Sequence, residues 1–208
     1  MAVEFLVVFI PMFIVIDPFG VLPIYLALTG GMVPRDRART LKLALVFSTS
    51  LLVAFALVGK AILDYLSVSI DALKITGGLL LLVIGVMMLY EGDTPRARKG
   101  KEEEPDGLTH SPEDVAFVPL GTPMLAGPGA ISVVIILTGT AADIPLVVAA
   151  LLLTMTFVAL LLWKAGLLYK IIGKAGTRAL TRVMGLITSA YAVQMILDGI
   201  SSYVMSII

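Results

Sequence analysis

The chain contains 208 residues, of which 59% are hydrophobic and 14% are charged. Its mean hydropathy is +1.03, far more apolar than a core of this size requires, so the composition excludes a soluble globular domain and predicts an integral membrane protein. The absence of cysteine excludes disulfides and thiolate metal sites, and the net charge of zero gives no indication of a nucleic-acid partner.

Six apolar runs are long enough, or nearly so, to cross a hydrocarbon core of about 30 Å as helices. They cover residues 5–28, 43–63, 75–90, 115–137, 146–168 and 183–197. No positive charge precedes the first run, as it would in a cleavable signal peptide, so we expect this run to remain as a mature helix. The predicted fold class is therefore an all-α integral membrane protein with six transmembrane helices.

A charged stretch with prolines and glycines separates the third run from the fourth. It divides the chain into a first three-helix unit at residues 1–92, a cytoplasmic linker at 93–114, and a second three-helix unit at 115–208. We expect the linker, which contains His110, to be partly disordered. The two units together form one transmembrane domain.

Positive charge is concentrated in the first, third and fifth connections. The residues are Arg35, Arg37, Arg39 and Lys42, then Arg96, Arg98, Lys99 and Lys101, then Lys170, Lys174, Arg178 and Arg182. The positive-inside rule places these connections in the cytoplasm and both termini outside. Lys164 follows Trp163, and we expect it to snorkel to an interface rather than to line an ion path.

The two units resemble each other in sequence. When residues 73–92 are shifted by 107 positions, Leu73 matches Leu180, Gly78 matches Gly185, Leu79 matches Leu186, Val86 matches Val193, Met88 matches Met195, Gly92 matches Gly199, and Glu91 falls on Asp198. Chance similarity of apolar helices is the alternative, but the paired glycines favour an internal repeat. Because each unit has an odd number of spans, the repeats would have inverted topology.

The first run is interrupted near its middle by Asp17, Pro18, Phe19 and Gly20. A carboxylate at this depth costs about 3 kcal/mol on insertion scales, and proline removes a backbone donor where lipid offers no replacement. We interpret the interruption as part of a binding site. The alternatives are that Asp17 only caps a helix and that the prolines only kink the packing.

The fourth run is interrupted at the corresponding place. Three prolines and three glycines lie between Pro119 and Gly129, and the densest break is Gly127, Pro128 and Gly129, followed by Ala130. Two broken helices in corresponding positions of inverted halves are the strongest pointer in a sequence to a transporter site. Half-helix N-termini can hold a carboxylate and an acid can hold an ammonium group, so the site suits a small zwitterion, with Asp17 as the ammonium partner or the proton carrier.

The third and sixth runs supply further candidates. Gly78 and Gly85 are two helical turns apart, which favours close helix packing over ligand contact. Thr76 and Gln194 are polar residues within spans that could line a cavity or bond a neighbouring helix. The sequence contains no phosphate loop, metal-ligand cluster or pair of membrane-embedded catalytic acids, so we do not expect an enzyme or a cofactor.

Several motifs together resemble the MarC family of membrane proteins. They are Asp17-Pro18-Phe19-Gly20-Val21-Leu22-Pro23, Ile75-Thr76-Gly77-Gly78, Pro119-Leu120-Gly121-Thr122-Pro123, Gly127-Pro128-Gly129-Ala130-Ile131, Thr181-Arg182-Val183-Met184-Gly185-Leu186-Ile187 and Ala192-Val193-Gln194. The resemblance covers nearly the whole chain. It implies a six-helix inner-membrane protein that transports small neutral amino acids, with glycine and alanine as substrates and protons as the driving ion.

The leading hypothesis is therefore a proton-coupled secondary transporter that works by alternating access. The expected substrate contacts are Asp17, Pro18, Phe19, Gly20, Thr76, Gly77, Gly127, Pro128, Gly129, Ala130 and Gln194, with Asp17 as the proton-coupling candidate. The alternatives are an exporter or channel for another small polar solute, and a membrane scaffold or sensor that does not transport. The expected partners are an amino acid, a proton and the bilayer, with a homo-oligomer left open and no nucleic acid or metal.

Overall fold

The computed structural model describes residues 2–90, 111–140 and 143–206, and every regular element in these ranges is helical. The helices are α1 (Ala2–Ile16), α2 (Pro18–Thr29), α3 (Pro34–Tyr65), α4 (Ile70–Tyr90), α5 (Pro112–Val115), α6 (Pro128–Thr140), α7 (Ile144–Trp163) and α8 (Ala165–Met205). Between α5 and α6 lies an irregular, wide-turned segment, Ala116–Leu125. The linker with His110, and the repeat positions Glu91 and Gly92, lie outside the described residues.

Within residues 2–90, 111–140 and 143–206, five helical stretches are long and apolar enough to cross a membrane. They are Val3–Thr29, Pro34–Tyr65, Ile70–Tyr90, Ile144–Trp163 and Ala165–Met205. A bent pair, Pro112–Leu125 with Pro128–Gly139, makes a sixth when it is counted as one span. The all-helical class and the multiple spans predicted from the sequence are confirmed, and the predicted six spans require that the bent pair be one of them.

The helices extend beyond the apolar runs because helical hydrogen bonding does not stop where hydropathy falls. α3 begins at Pro34 rather than at residue 43. Arg35 and Lys42 therefore lie in its first turns, whereas the sequence suggested that they lie in a loop. α7 ends earlier than predicted, at Trp163, because the backbone of Lys164 leaves the helical conformation. The Nζ atom of Lys164 lies 4.4 Å from the centre of the Trp163 ring, as expected of a snorkelling side chain.

α8 contains a sharp corner at Gly173, whose φ of 69° is a left-handed conformation that glycine adopts without steric cost. Residues 165–172 precede the corner and the long apolar part of α8 follows it. Lys174 and Arg178 lie in the first turns after the corner, in helix rather than in the loop that the sequence predicted.

α4 and α8 pack against each other along their lengths in antiparallel directions, and glycines make this approach possible. A methyl group added at Gly78 would lie 2.8 Å from the carbonyl oxygen of Ala192, and one added at Gly85 would lie 2.9 Å from that of Gly185. Near the start of α4, a methyl group on Gly199 would lie 2.9 Å from the carbonyl oxygen of Asp71. The predicted role of Gly78 and Gly85 in close packing is confirmed.

The remaining helices surround this pair. α1 packs on α6 and α7, and α3 packs on the irregular segment, α6 and α7. Tyr25, Met12 and Leu22 are among the largest side chains in the shared core. Many apolar side chains lie exposed on the outer helix faces, which is the pattern of a protein whose outer surface meets lipid.

Candidate functional site

The first break is a single residue, Asp17, between α1 and α2. Its backbone has φ 48° and ψ 69°, a left-handed conformation that aspartate and asparagine tolerate better than other side chains. The carboxylate accepts a hydrogen bond of 3.0 Å from the amide of Gly20, so Asp17 caps the N-terminus of α2. The capping role considered from the sequence is therefore real, and it fixes the position of a buried carboxyl group.

Gly20 leaves the space in which this carboxyl group lies. A methyl group at position 20 would meet the Asp17 carboxyl group, and it would lie 2.8 Å from the Cε atom of Met88 on α4. Any larger residue would therefore displace the Asp17 carboxyl group from its capping position and push the end of the Met88 side chain aside. Glycine is thus needed at position 20 so that the Asp17 side chain can fold back against the first turn of α2.

The second break lies between Leu125 and Pro128, where the chain bends by 53°. The amide of Ala126 donates to the carbonyl oxygen of Gly121, and helical bonding resumes with the amide of Ile131, which donates to Gly127. A methyl group at Gly127 would collide with the carbonyl oxygen of Pro123. The bend thus depends on glycine at position 127, and α6 begins directly after it with a proline in its first turn.

The irregular segment before this bend contains two residues in extended conformation, Val118 and Thr122, and the peptide bonds that follow them are cis. Two of its carbonyl groups are bonded within the protein, and backbone at membrane depth requires such partners. The hydroxyl of Ser48 on α3 donates to the carbonyl oxygen of Gly121 at 3.2 Å, and Thr122 donates to that of Phe117. α3 therefore supports the irregular segment by a side-chain hydrogen bond to the backbone of that segment.

A cavity of about 1000 Å³ lies where the two breaks come together. Its walls come from α2, α4, α8, the start of α6 and the end of the irregular segment. Six of the predicted contact residues line it, namely Asp17, Gly20, Gly127, Pro128, Gly129 and Ala130. The volume lies at the upper end of the range of about 300–1,000 Å³ that is typical of ligand pockets.

The other five predicted contacts lie away from this cavity. Pro18 is buried in the first turn of α2, and Phe19 packs its ring between those of Phe13 and Phe157. Gly77 faces Ser132 on α6. Thr76 is exposed and donates to the carbonyl of its own helix, and Gln194 is exposed on α8. Their predicted substrate contacts stay predictions.

Thr188 is a cavity residue that sequence reasoning missed. Its side chain is 2% exposed, it lines the cavity from α8, and its hydroxyl oxygen has no hydrogen-bond partner in the described part of the chain. Most threonines in these helices donate to a carbonyl one turn earlier, and nothing in the sequence set Thr188 apart from them. A buried hydroxyl without a partner is costly, which makes it a candidate to bond a ligand.

The cavity lining combines one acidic residue, two basic residues and many apolar ones. The buried carboxyl group of Asp17 lies at the helix break, and Lys174 and Arg178 line the part near the corner of α8. The walls between them are largely apolar and include Met87 and Met88. In the described residues, no group of three or more histidines or acidic residues is placed to hold a metal ion.

Comparison with known proteins identifies the family. The sequence model that defines the MarC family of integral membrane proteins matches residues 2–204. The chain belongs to the MarC family. A UPF0056 membrane protein of Methanocaldococcus jannaschii is 38% identical to this MarC-family chain, with 94% of this chain and 95% of the relative covered. A UPF0056 membrane protein of Pyrococcus abyssi is 32% identical, with 94% of each chain covered.

The UPF0056 inner membrane protein MarC of Escherichia coli is 32% identical over 94% of this chain and 91% of its own length. No solved structure matches this MarC-family chain. Membership establishes an integral membrane protein with several spans and confirms the resemblance seen in the sequence motifs. The names of these relatives specify no substrate.

Proposed function

We propose that this MarC-family chain is a secondary transporter of small neutral amino acids, with glycine and alanine as substrates and protons as the coupled ion, in a cell or inner membrane. The observation that carries the proposal is the position of the cavity. It lies where two interrupted helices meet, and it contains one buried carboxyl group, that of Asp17. An ionisable residue held at this depth by irregular backbone is typical of transport sites.

The chemistry of the cavity suits a zwitterion. The first amides of α6, at Gly129 and Ala130, lie in the helix turn where N–H groups lack helical acceptors, and both residues line the cavity. They supply donors and partial positive charge for a carboxylate. Asp17 receives the ammonium group or carries the coupled proton, and Thr188 adds a hydroxyl.

The proposed mechanism needs two inverted halves, and the packing of α4 against α8 supports that arrangement. The sequence repeat pairs Gly78 with Gly185 and Gly85 with Ala192. In space, Gly78 contacts Ala192 and Gly85 contacts Gly185, so each glycine meets the repeat counterpart of the other. A two-fold axis in the membrane plane that relates the halves would produce this reciprocal contact.

The side of the membrane to which the cavity opens can be inferred from its basic residues. Lys174 and Arg178 line the part of the cavity near the corner of α8, and the positive-inside rule places that end in the cytoplasm. The cavity then faces inward. Its volume exceeds that of one alanine molecule by a wide margin, so occlusion requires the helices to close around the substrate.

Thr188→Val should weaken alanine binding about two- to tenfold, because valine matches the shape of threonine but lacks the hydroxyl, and one hydrogen bond contributes about 0.5–1.5 kcal/mol. The measurement is the KM for alanine uptake, with the amount of folded protein held equal. Thr154→Val is the matched control, since Thr154 is equally buried on α7 but bonds to Ala150 and does not line the cavity. An unchanged KM in Thr188→Val would remove this residue from the binding site.

The test of the proposed function is uptake of radiolabelled glycine and alanine by purified protein in liposomes under an imposed pH gradient. A proton-coupled transporter accumulates substrate above the external concentration, and this accumulation stops when the pH gradient is dissipated. Equilibration without accumulation would indicate a channel. No movement of either amino acid by folded, inserted protein would contradict the proposal and favour a scaffold or sensor.

A further inference from the structure

One face of α8 carries polar groups where lipid contact would be expected. The Nε2 atom of Gln194 donates a hydrogen bond of 2.7 Å to Oδ1 of Asp198, and both residues are exposed. Tyr191 lies one turn before Gln194 and is half-buried. The apolar neighbours Val193 and Leu197 are 43% and 53% exposed, so this polar face lies within the lipid-facing part of the helix.

The position of Gln194 along α8 gives its exposed amide a free-energy cost. α8 continues for nearly two turns past Asp198 to Met205, and Ile200 and Val204 on those turns are exposed apolar residues. Gly199 packs against the carbonyl group of Asp71, so Asp198 lies level with the start of α4, near the end of the span, whereas Gln194 lies one turn further into the apolar run. An amide that faced hydrocarbon at position 194 would carry a substantial cost. Water, or another protein surface, must therefore reach Gln194 in some state of the protein.

The internal repeat indicates whether water or another protein surface covers this face of α8. Ile84 and Met87 on α4 line the cavity described above. The shift of 107 positions that relates α4 to α8 places Ile84 on Tyr191 and Met87 on Gln194. The α8 face with Tyr191 and Gln194 is thus the counterpart, in the other half, of the α4 face that lines the cavity.

We infer that Tyr191, Gln194 and Asp198 line a second vestibule, which opens on the opposite side of the membrane from the cavity and admits a small solute with an ammonium group. The inference rests on the proposed function, because in a transporter with inverted halves the two cavities form from corresponding faces in alternate states. The carboxylate of Asp198 and the side-chain oxygen of Gln194 are the acceptors that attract the ammonium group.

The chain has no native cysteine, so a single introduced cysteine reports its own surroundings. Gln194→Cys, Leu197→Cys and Met87→Cys are prepared in the full-length protein in membranes, and a membrane-impermeant thiol reagent is applied to each side. Leu197 is the matched control because it is also exposed and lies nearer the C-terminal end of α8. Faster labelling at position 194 than at 197 therefore cannot arise from shallow depth.

The expected result is that Gln194→Cys reacts at least about tenfold faster than Leu197→Cys from the side of the C-terminus, because only a thiol in contact with water ionises readily. Met87→Cys should react from the other side. Equal, slow reaction at 194 and 197 would overturn the inference, and so would disulfide-linked dimers of Gln194→Cys, which would indicate a contact between two copies. If Gln194→Cys does not accumulate in the membrane, Tyr191→Cys replaces it.

Labelling does not require transport, so the two proposals fail separately. Reactive Gln194→Cys in a protein whose wild type moves neither glycine nor alanine would leave the vestibule in place and remove the assigned substrates. Uptake by the wild type together with unreactive Gln194→Cys would keep the transporter and remove this vestibule. Slower labelling of Gln194→Cys in the presence of alanine is the further result expected if both proposals hold.

Discussion

Asp17→Asn reduces alanine uptake by proteoliposomes at least about tenfold, which corresponds to loss of the 1.5 kcal/mol or more that a hydrogen bond to a charged group contributes. Asparagine caps helices as well as aspartate does and tolerates the left-handed backbone seen at this position. The substitution therefore removes the charge and the ionisable proton and keeps the cap. The measurement is the initial rate of radiolabelled alanine uptake per folded protein.

The control for this experiment is Asp17→Ala, which removes the cap as well as the charge. It should cost about 1–3 kcal/mol of stability, since both the cap and the tolerance of the left-handed conformation are lost. Asp17→Asn should change stability by less than about 0.5 kcal/mol. Equal losses of stability and of uptake in Asp17→Asn would show that Asp17 has only a capping role.

Gly85→Leu should lower the thermal stability of the folded protein strongly. A methyl group at this position already lies 2.8 Å from the backbone nitrogen of Ser189 and 2.9 Å from the carbonyl oxygen of Gly185, so a leucine must push α4 away from α8. Overpacking of this kind costs about 1–3 kcal/mol or more, because backbone cannot move aside as a flexible side chain can. The measurement is the fraction of monodisperse protein in detergent after heating.

Gly166→Leu is the matched control for the packing prediction. Gly166 also lies in α8, and an added methyl group there has no other atom within 4 Å. This variant should keep the thermal midpoint of the wild type or raise it slightly, because glycine is a poor helix former. If Gly85→Leu and Gly166→Leu were equally stable, the close contact of α4 and α8 would not hold the fold together.

Much of the fold could be predicted from the sequence because membrane spans are apolar runs of known length. The breaks at Asp17 and Gly127 were also predictable, since proline and glycine at bilayer depth disrupt helical bonding by a local mechanism. Helix ends were less predictable. α3 begins at Pro34, outside its apolar run, because a charged helical turn has no hydropathy signal.

The candidate site was predictable only where backbone chemistry determines it. Asp17 and Pro128 line the cavity because the breaks themselves form its wall. Phe19 is adjacent to Asp17 in sequence, but it packs against Phe157 on α7, and no local pattern reveals which way a residue beside a break will face. Thr188 was missed because its unpaired hydroxyl depends on neighbours from other helices.

The most direct measurement of the central claim is the movement of protons that alanine causes. Purified protein is placed in liposomes that contain a pH-sensitive dye, and alanine is added outside without any imposed gradient. If alanine enters together with protons, the interior acidifies with wild-type protein, and Asp17→Asn, folded and inserted, gives no acidification. Alanine entry with no pH change in the wild type, or equal acidification by Asp17→Asn, would contradict the claim.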